Sequence, residues 1–273
     1  MERIAANGAE FEVEVKGTGE PLLLIHGSIM DAEAYTGLIS IPSLRGYQFI
    51  RYNRRGYSGS TRHNGPFSIA DQARDAAGIL QSLGVERAHV AGHSFGAAVA
   101  LQLALDAPSV THSLVLLEPG LMTVPSAADL EADFGQAFEA YQAGDRARAV
   151  DLFCQGVAGP DYATRITGLP ATWLDQAAAD IDAGLVTEME SEQEWAFTAK
   201  EAARIKQPAL AMLGADSHAL FRETNELLRS SMPNAEGVVI PGCTHALQMM
   251  NPQGVADAIA GFLVRHPMPV RVG

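Results

Sequence analysis

The stretch Ala91-Gly92-His93-Ser94-Phe95-Gly96-Ala97 constrains this chain more than any other. It reads Gly-x-Ser-x-Gly, entered by a short apolar run (88–91) and left by a small-residue stretch (97–105), which predicts a strand turning sharply into a helix at Ser94. A side chain at either glycine would collide with the neighbouring strand or with the start of the helix. The turn leaves the serine at its tip, strained and with its hydroxyl exposed. The amides of Ser94 and Phe95 then fall at a helix N-terminus, where free N–H groups and the macrodipole favour negative charge. That is a place for a nucleophile beside a developing oxyanion.

Around this turn the chain alternates strand and helix. Phe11, Val13 and Val15 alternate with Glu12, Glu14 and Lys16, the period of a half-exposed strand, here read as an edge, and Asn7-Gly8 predicts a hairpin from a short first strand. Pro21-Leu22-Leu23-Leu24-Ile25 is continuously apolar, as a parallel strand covered on both faces requires, and ends in His26-Gly27-Ser28. Residues 47–52 form a further strand before the glycine-rich run 53–60. Ser68 with Asp71 caps a helix that runs to Leu83 and stops at Gly84. Residues 114–117 give another buried strand, closing in Glu118-Pro119.

The order implies a mostly parallel sheet flanked by helices. Between Pro119 and Lys206 the pattern breaks: about 90 residues carry no strand signal, too many for a bare connection. Helical spacing recurs at 127–143, 146–155, 169–183 and 191–203. A helical cap inserted after the sixth strand accounts for this, with core 1–118 and 207–273 and cap 119–206. The sheet resumes at 208–213, a helix follows over 217–231, the last strand over 237–240, and Asn251-Pro252 opens a final helix to about Arg265. Residues 267–273 read as a loose tail.

With 273 residues, 47% of them hydrophobic, the chain can bury a large core, and its net charge of −13 argues against nucleic acid or anionic membrane as partner. No run approaches the roughly 18 apolar residues of a membrane helix, and the N-terminus carries no apolar leader, so the expectation is a soluble, cytoplasmic protein. Cys154 and Cys243 match no metal spacing and read as free thiols.

A serine hydroxyl attacks a carbonyl only with a base within reach and a third group to orient that base. His245, in Pro241-Gly242-Cys243-Thr244-His245 just after the last strand, is the candidate base, since chemistry gathers at the C-terminal ends of parallel strands. His63, His89, His112, His218 and His266 read as surface or turn residues, His26 and His93 as packing.

His26-Gly27, Arg55-Gly56-Tyr57-Ser58, Gly92-His93-Ser94-Phe95-Gly96 and Gly242-Cys243-Thr244-His245 together resemble the α/β-hydrolase superfamily across most of the sheet domain. The resemblance implies the α/β-hydrolase fold, and backbone amides of Ser28 and Phe95 as an oxyanion hole. For the acid it leaves two candidates. Many members place an aspartate three residues after a glycine, a register that here, counted from Gly214, falls on Ser217, with Asp216 one place early. Glu118, at the end of the strand after the elbow helix, is the first choice. Its placement is similar to that in haloalkane dehalogenases and in a lactonase that opens zearalenone, and Pro119 biases its backbone to extended geometry.

A serine at the elbow excludes the relatives that use an aspartate nucleophile and leaves acyl transfer to water, with no metal and no organic cofactor. The expected substrate is a small apolar carboxylic ester or lactone, taken by a monomer or homodimer. Among the cap aromatics Trp173 and Trp195 are the candidate substrate contacts, with Met249 as an adaptable wall. The same three residues also serve carbon–carbon bond hydrolysis or cofactor-free perhydrolysis, and a hydrolase-derived small-molecule receptor would keep the same pocket.

Overall fold

A computed structural model describes residues 1–62 and 65–269. Among the described residues eight strands form one sheet: β1 (Glu2–Ala6), β2 (Ala9–Lys16), β3 (Glu20–Ile25), β4 (Tyr47–Tyr52), β5 (Ala88–His93), β6 (Thr111–Leu117), β7 (Ala209–Gly214) and β8 (Ala235–Ile240). Their spatial order is β1-β2-β4-β3-β5-β6-β7-β8, parallel from β4 to β8, with β2 antiparallel to both of its neighbours. This is an α/β-hydrolase fold. The β1–β2 turn holds Asn7 and Gly8 at φ +44° and +74°, the paired positive values of a tight hairpin.

The apolar strands feed two cores, because successive side chains leave opposite faces of the sheet. Leu23, Ile25, Val90, Leu114 and Leu116 pack beneath helices Ile69–Ser82 and Phe95–Asp106. Leu22, Leu24, Ala91, Val115 and Leu117 meet helix Pro252–Arg265 on the other face. Ser68 and Asp71 close a reciprocal capping box on helix Ile69–Ser82, as their spacing predicts.

Several expectations need correction. β2 is not an edge strand: β1 covers its outer side, and its alternation reports one open face, not a free border. The helix expected over 127–143 divides at Phe134, whose ring stacks on Phe153 with centroids 4.8 Å apart, giving helices Ala127–Asp133 and Gly135–Gln142. That over 191–203 breaks at Trp195, which turns extended; Thr198 and Glu201 then cap a separate short helix, Ala199–Ala202. Helix Trp173–Ile181 runs on into a π-helical segment, Asp182–Glu188, that no local signal announces. Of the tail, Met268 is tied by its amide to Glu20 Oε1 at 3.0 Å, and residues 270–273, like His63, lie outside the described residues. No helix among the described residues is long and apolar enough to cross a membrane.

Candidate active site

Ser94 sits between β5 and helix Phe95–Asp106 at φ +54°, ψ −124°, a conformation that a side-chain-bearing residue adopts only under restraint. Packing supplies the restraint. A Cβ on Gly92 would lie 2.2 Å from the Gly96 carbonyl oxygen, and one on Gly96 2.2 Å from that of Ile25. The helix start is thus pressed against both its own strand and β3, and the Ser94 amide is fixed to the Leu117 carbonyl at 2.9 Å.

His245 follows β8 on a loop closed by the short helix Leu247–Met250. Its Nε2 stands 2.9 Å from Ser94 Oγ and its Nδ1 2.9 Å from Glu118 Oε2. These partners set the tautomer: the serine hydroxyl donates to Nε2, and Nδ1–H donates to the carboxylate. Phe221 stacks on the imidazole with centroids 4.0 Å apart and planes 12° apart. His93 lies 4.7 Å from it, and its own Nε2–H donates to the His245 carbonyl at 2.8 Å. Burial, reinforced by His245, holds the pKa of His93 down to about 3, so it stays a neutral donor wherever the protein is folded near neutral pH.

Glu118 is the carboxylate brought to His245. Its φ of +48° departs from the extended geometry expected before Pro119. The carboxylate explains the departure, for Oε1 accepts the Gly214 amide at 2.6 Å and the Ser217 hydroxyl at 2.5 Å, which tether the residue in its twisted form. Asp216 is exposed, and its amide donates to the Cys243 carbonyl at 2.9 Å. Ser217, which occupies the register expected for an aspartate, instead donates its hydroxyl to Glu118.

Ser28 and Ser94 face one small enclosed cavity together with His93 and His245. Phe95 is the first residue of its helix, so its amide has no intrahelical acceptor. The remaining wall comes largely from helices Arg146–Ala158 and Tyr162–Arg165 through Phe153, Cys154, Val157, Ala158 and Tyr162. About 30 Å³ is free inside, room for roughly two waters. Burial pushes the Cys154 thiol up to about 12, which keeps it protonated and inert as a wall.

Trp173, Trp195 and Met249 do not line this cavity. Trp195 donates from Nε1 to Gln102 at 2.8 Å and tilts against Phe197; Trp173 meets Tyr162 edge-on; Met249 is buried, and its carbonyl accepts from Thr167. Both indole rings pack on neighbouring side chains instead. Phe153 and Val157, four residues apart on one helix face, line the cavity in their place. His89, read as a surface residue, is wholly buried in β5. Both cysteines are free and buried, and no group of metal-ligating side chains occurs among the described residues.

A family model described as "alpha/beta hydrolase fold" matches residues 20–252. A putative carbamate hydrolase, RutD, of Azorhizobium caulinodans is 28% identical over 93% of this chain and 95% of its own length. Rhodomycin D methylesterase of a Streptomyces species is 34% identical over 41% of this chain and 39% of its own. The crystal structure of an enol-lactonase from Burkholderia xenovorans superposes with a TM-score of 0.82 at 21% identity, covering 96% of this chain and all (100%) of that one, a likeness of fold.

Proposed function

This chain belongs to the alpha/beta hydrolase family, and from that membership and the geometry above we propose that it is a serine hydrolase of a small, largely apolar carboxylic ester or lactone. The observation that carries the reading is the run of hydrogen bonds from Glu118 through His245 to Ser94 Oγ, which faces a largely apolar cavity. In this reading Ser94 attacks the carbonyl carbon as His245 Nε2 takes its proton, and Glu118 stabilises the resulting imidazolium. The amides of Phe95 and Ser28 receive the oxyanion; a donor of this kind is worth about 3 kcal/mol to the transition state. His245 then returns the proton to the leaving alcohol, and the same base activates water to release the acid. The carbonyl chemistry in the names of the carbamate hydrolase, the methylesterase and the enol-lactonase supports the reaction class.

Residues 119–206 act as the cap over a core made of 1–118 and 207–273, and the cap's small cavity favours short acyl groups. Saturation kinetics on p-nitrophenyl acetate, butyrate and octanoate and on dihydrocoumarin, in wild type and Ser94→Ala, test this. Turnover of the short substrates, at least about ten-fold weaker on octanoate and absent in the variant, is expected. Silence on all four, or full activity without the Ser94 hydroxyl, refutes it.

A further inference from the structure

The serine-hydrolase reading places an oxyanion donor at Ser28, and on that basis we propose that Glu188, carried by the cap, is the positioning residue that holds this donor in place. Glu188 is wholly buried at the end of the π-helical segment Asp182–Glu188. Its Oε2 accepts the Ser28 hydroxyl at 2.5 Å and the Tyr57 hydroxyl at 2.9 Å. Arg54, also wholly buried, closes on both oxygens, with Nη1 on Oε1 and Nη2 3.2 Å from Oε2. The same guanidinium reaches back to the loop, Nε to the His26 carbonyl at 2.8 Å and Nη2 to the Gly27 carbonyl at 3.0 Å. Tyr57 in turn accepts the Ile29 amide at 3.1 Å. Gly27, Ser28 and Ile29 are therefore each tied to one carboxylate, directly or through a single side chain.

The loop needs such a tie. Ile29 has φ +58°, which a β-branched residue adopts only where its surroundings enforce it. The cap backbone also lies directly on it: a Cβ at Gly184 would stand 2.7 Å from Ile29 Cγ1 and 3.0 Å from the Tyr57 oxygen. Glycine is what lets the π-helical turn descend that far. The cap thus splits its work by stretch. Residues 153–166 wall the cavity, whereas 182–188 are locked to the loop by a buried ion pair.

Glu188→Gln keeps the size and an acceptor but removes the charge. Its kcat on p-nitrophenyl butyrate is expected to fall about ten-fold with KM within about two-fold, because the donor is misplaced only toward the oxyanion. Affinity for an alkyl trifluoromethyl ketone, whose adduct with Ser94 carries an oxyanion, falls by the same factor. Ser28→Ala retains the amide and the Arg54–Glu188 pair and loses only the hydroxyl. It lowers kcat and ketone affinity together, and in the double variant the combined loss is smaller than the product of the single losses. Loss of thermal stability in Glu188→Gln with kcat and ketone affinity intact overturns the proposal. Should that variant not fold, Ser28→Ala and Tyr57→Phe decide, and unchanged kcat and ketone affinity in both overturn it. A wild-type protein that turns over no ester and resists a fluorophosphonate removes the hydrolase reading and this role with it; an active wild type with indifferent variants removes the role alone.

Discussion

His245 stands between Ser94 and Glu118 at the C-terminal ends of the strands; at the opposite ends, His89 stands between Ser113 and Glu20. In the second trio, His89 Nδ1 is 2.7 Å from Ser113 Oγ, and Nε2 is 3.0 Å from Glu20 Oε2. By residue type and distance the two are equivalent. They differ in setting. Ser94 occupies a strained turn at a helix N-terminus and opens on a cavity, whereas Ser113 is wholly buried inside β6. Glu20 also accepts the Met268 amide, so this trio ties Met268 to the base of the sheet. A hydrogen-bonded serine, histidine and carboxylate is ordinarily a way to satisfy buried polar groups. In the proposed reading, what turns one such trio toward chemistry is access for a carbonyl and donors waiting for its oxygen.

The sharpest way to break this contrast is at the serines. Ser94→Ala should lower ester turnover by about 10³-fold or more, and Ser113→Ala should leave it within about two-fold, both read as kcat/KM on p-nitrophenyl butyrate. Comparable losses in the two variants would mean that setting does not decide.

The carboxylates give the next largest effect. In Glu118→Gln the imidazolium loses its counter-charge, and kcat should drop about 10²- to 10⁴-fold. Glu20→Gln and Asp216→Asn should each stay within about two-fold of wild type. A strongly impaired Asp216→Asn with a healthy Glu118→Gln would reverse the assignment of the acid.

The smallest effect is on stability. Burial lowers the pKa of His89 below its usual 6.5, so the unfolded chain takes up this proton more readily than the folded one. Its contribution is therefore intact above about pH 6.5 and is lost as the pH falls below that value, by at most about 1.4 kcal/mol per pH unit. His93 and His26 are lowered by burial in the same way and add to the trend. His89→Gln should flatten the fall of Tm between pH 6.5 and 5 without changing kcat at pH 8. An unaltered slope would show that His89 is not one of the groups that resist protonation.

Legibility in the sequence followed the range of the interaction. Gly92, Ser94 and Gly96 were readable because their constraint spans five residues, and the capping box at Ser68 and Asp71 because it spans four. Thr198 and Glu201 carried the same signal and could have divided the helix expected over 191–203. The wall of this cavity does not include Trp173, Trp195 or Met249, and size alone does not say whether a ring such as Trp195 packs on its neighbours or on a ligand. Arg54 and Glu188 offered no signal at all: 134 positions separate them, and a buried charge is tolerable only beside a partner that the chain brings from elsewhere.

The order of strands and helices, the strained serine turn and the helical character of residues 119–206 all follow from the residues read in line. They rest on backbone sterics and hydrophobic period, which act between near neighbours. Which carboxylate reaches His245, which of two equivalent trios opens on a cavity, and which stretch of the insertion grips the loop at Ser28 were decided only when distant segments met. Hydrogen bonds and buried ion pairs act over about 3 Å, and only the folded chain brings residues this far apart in sequence within that distance.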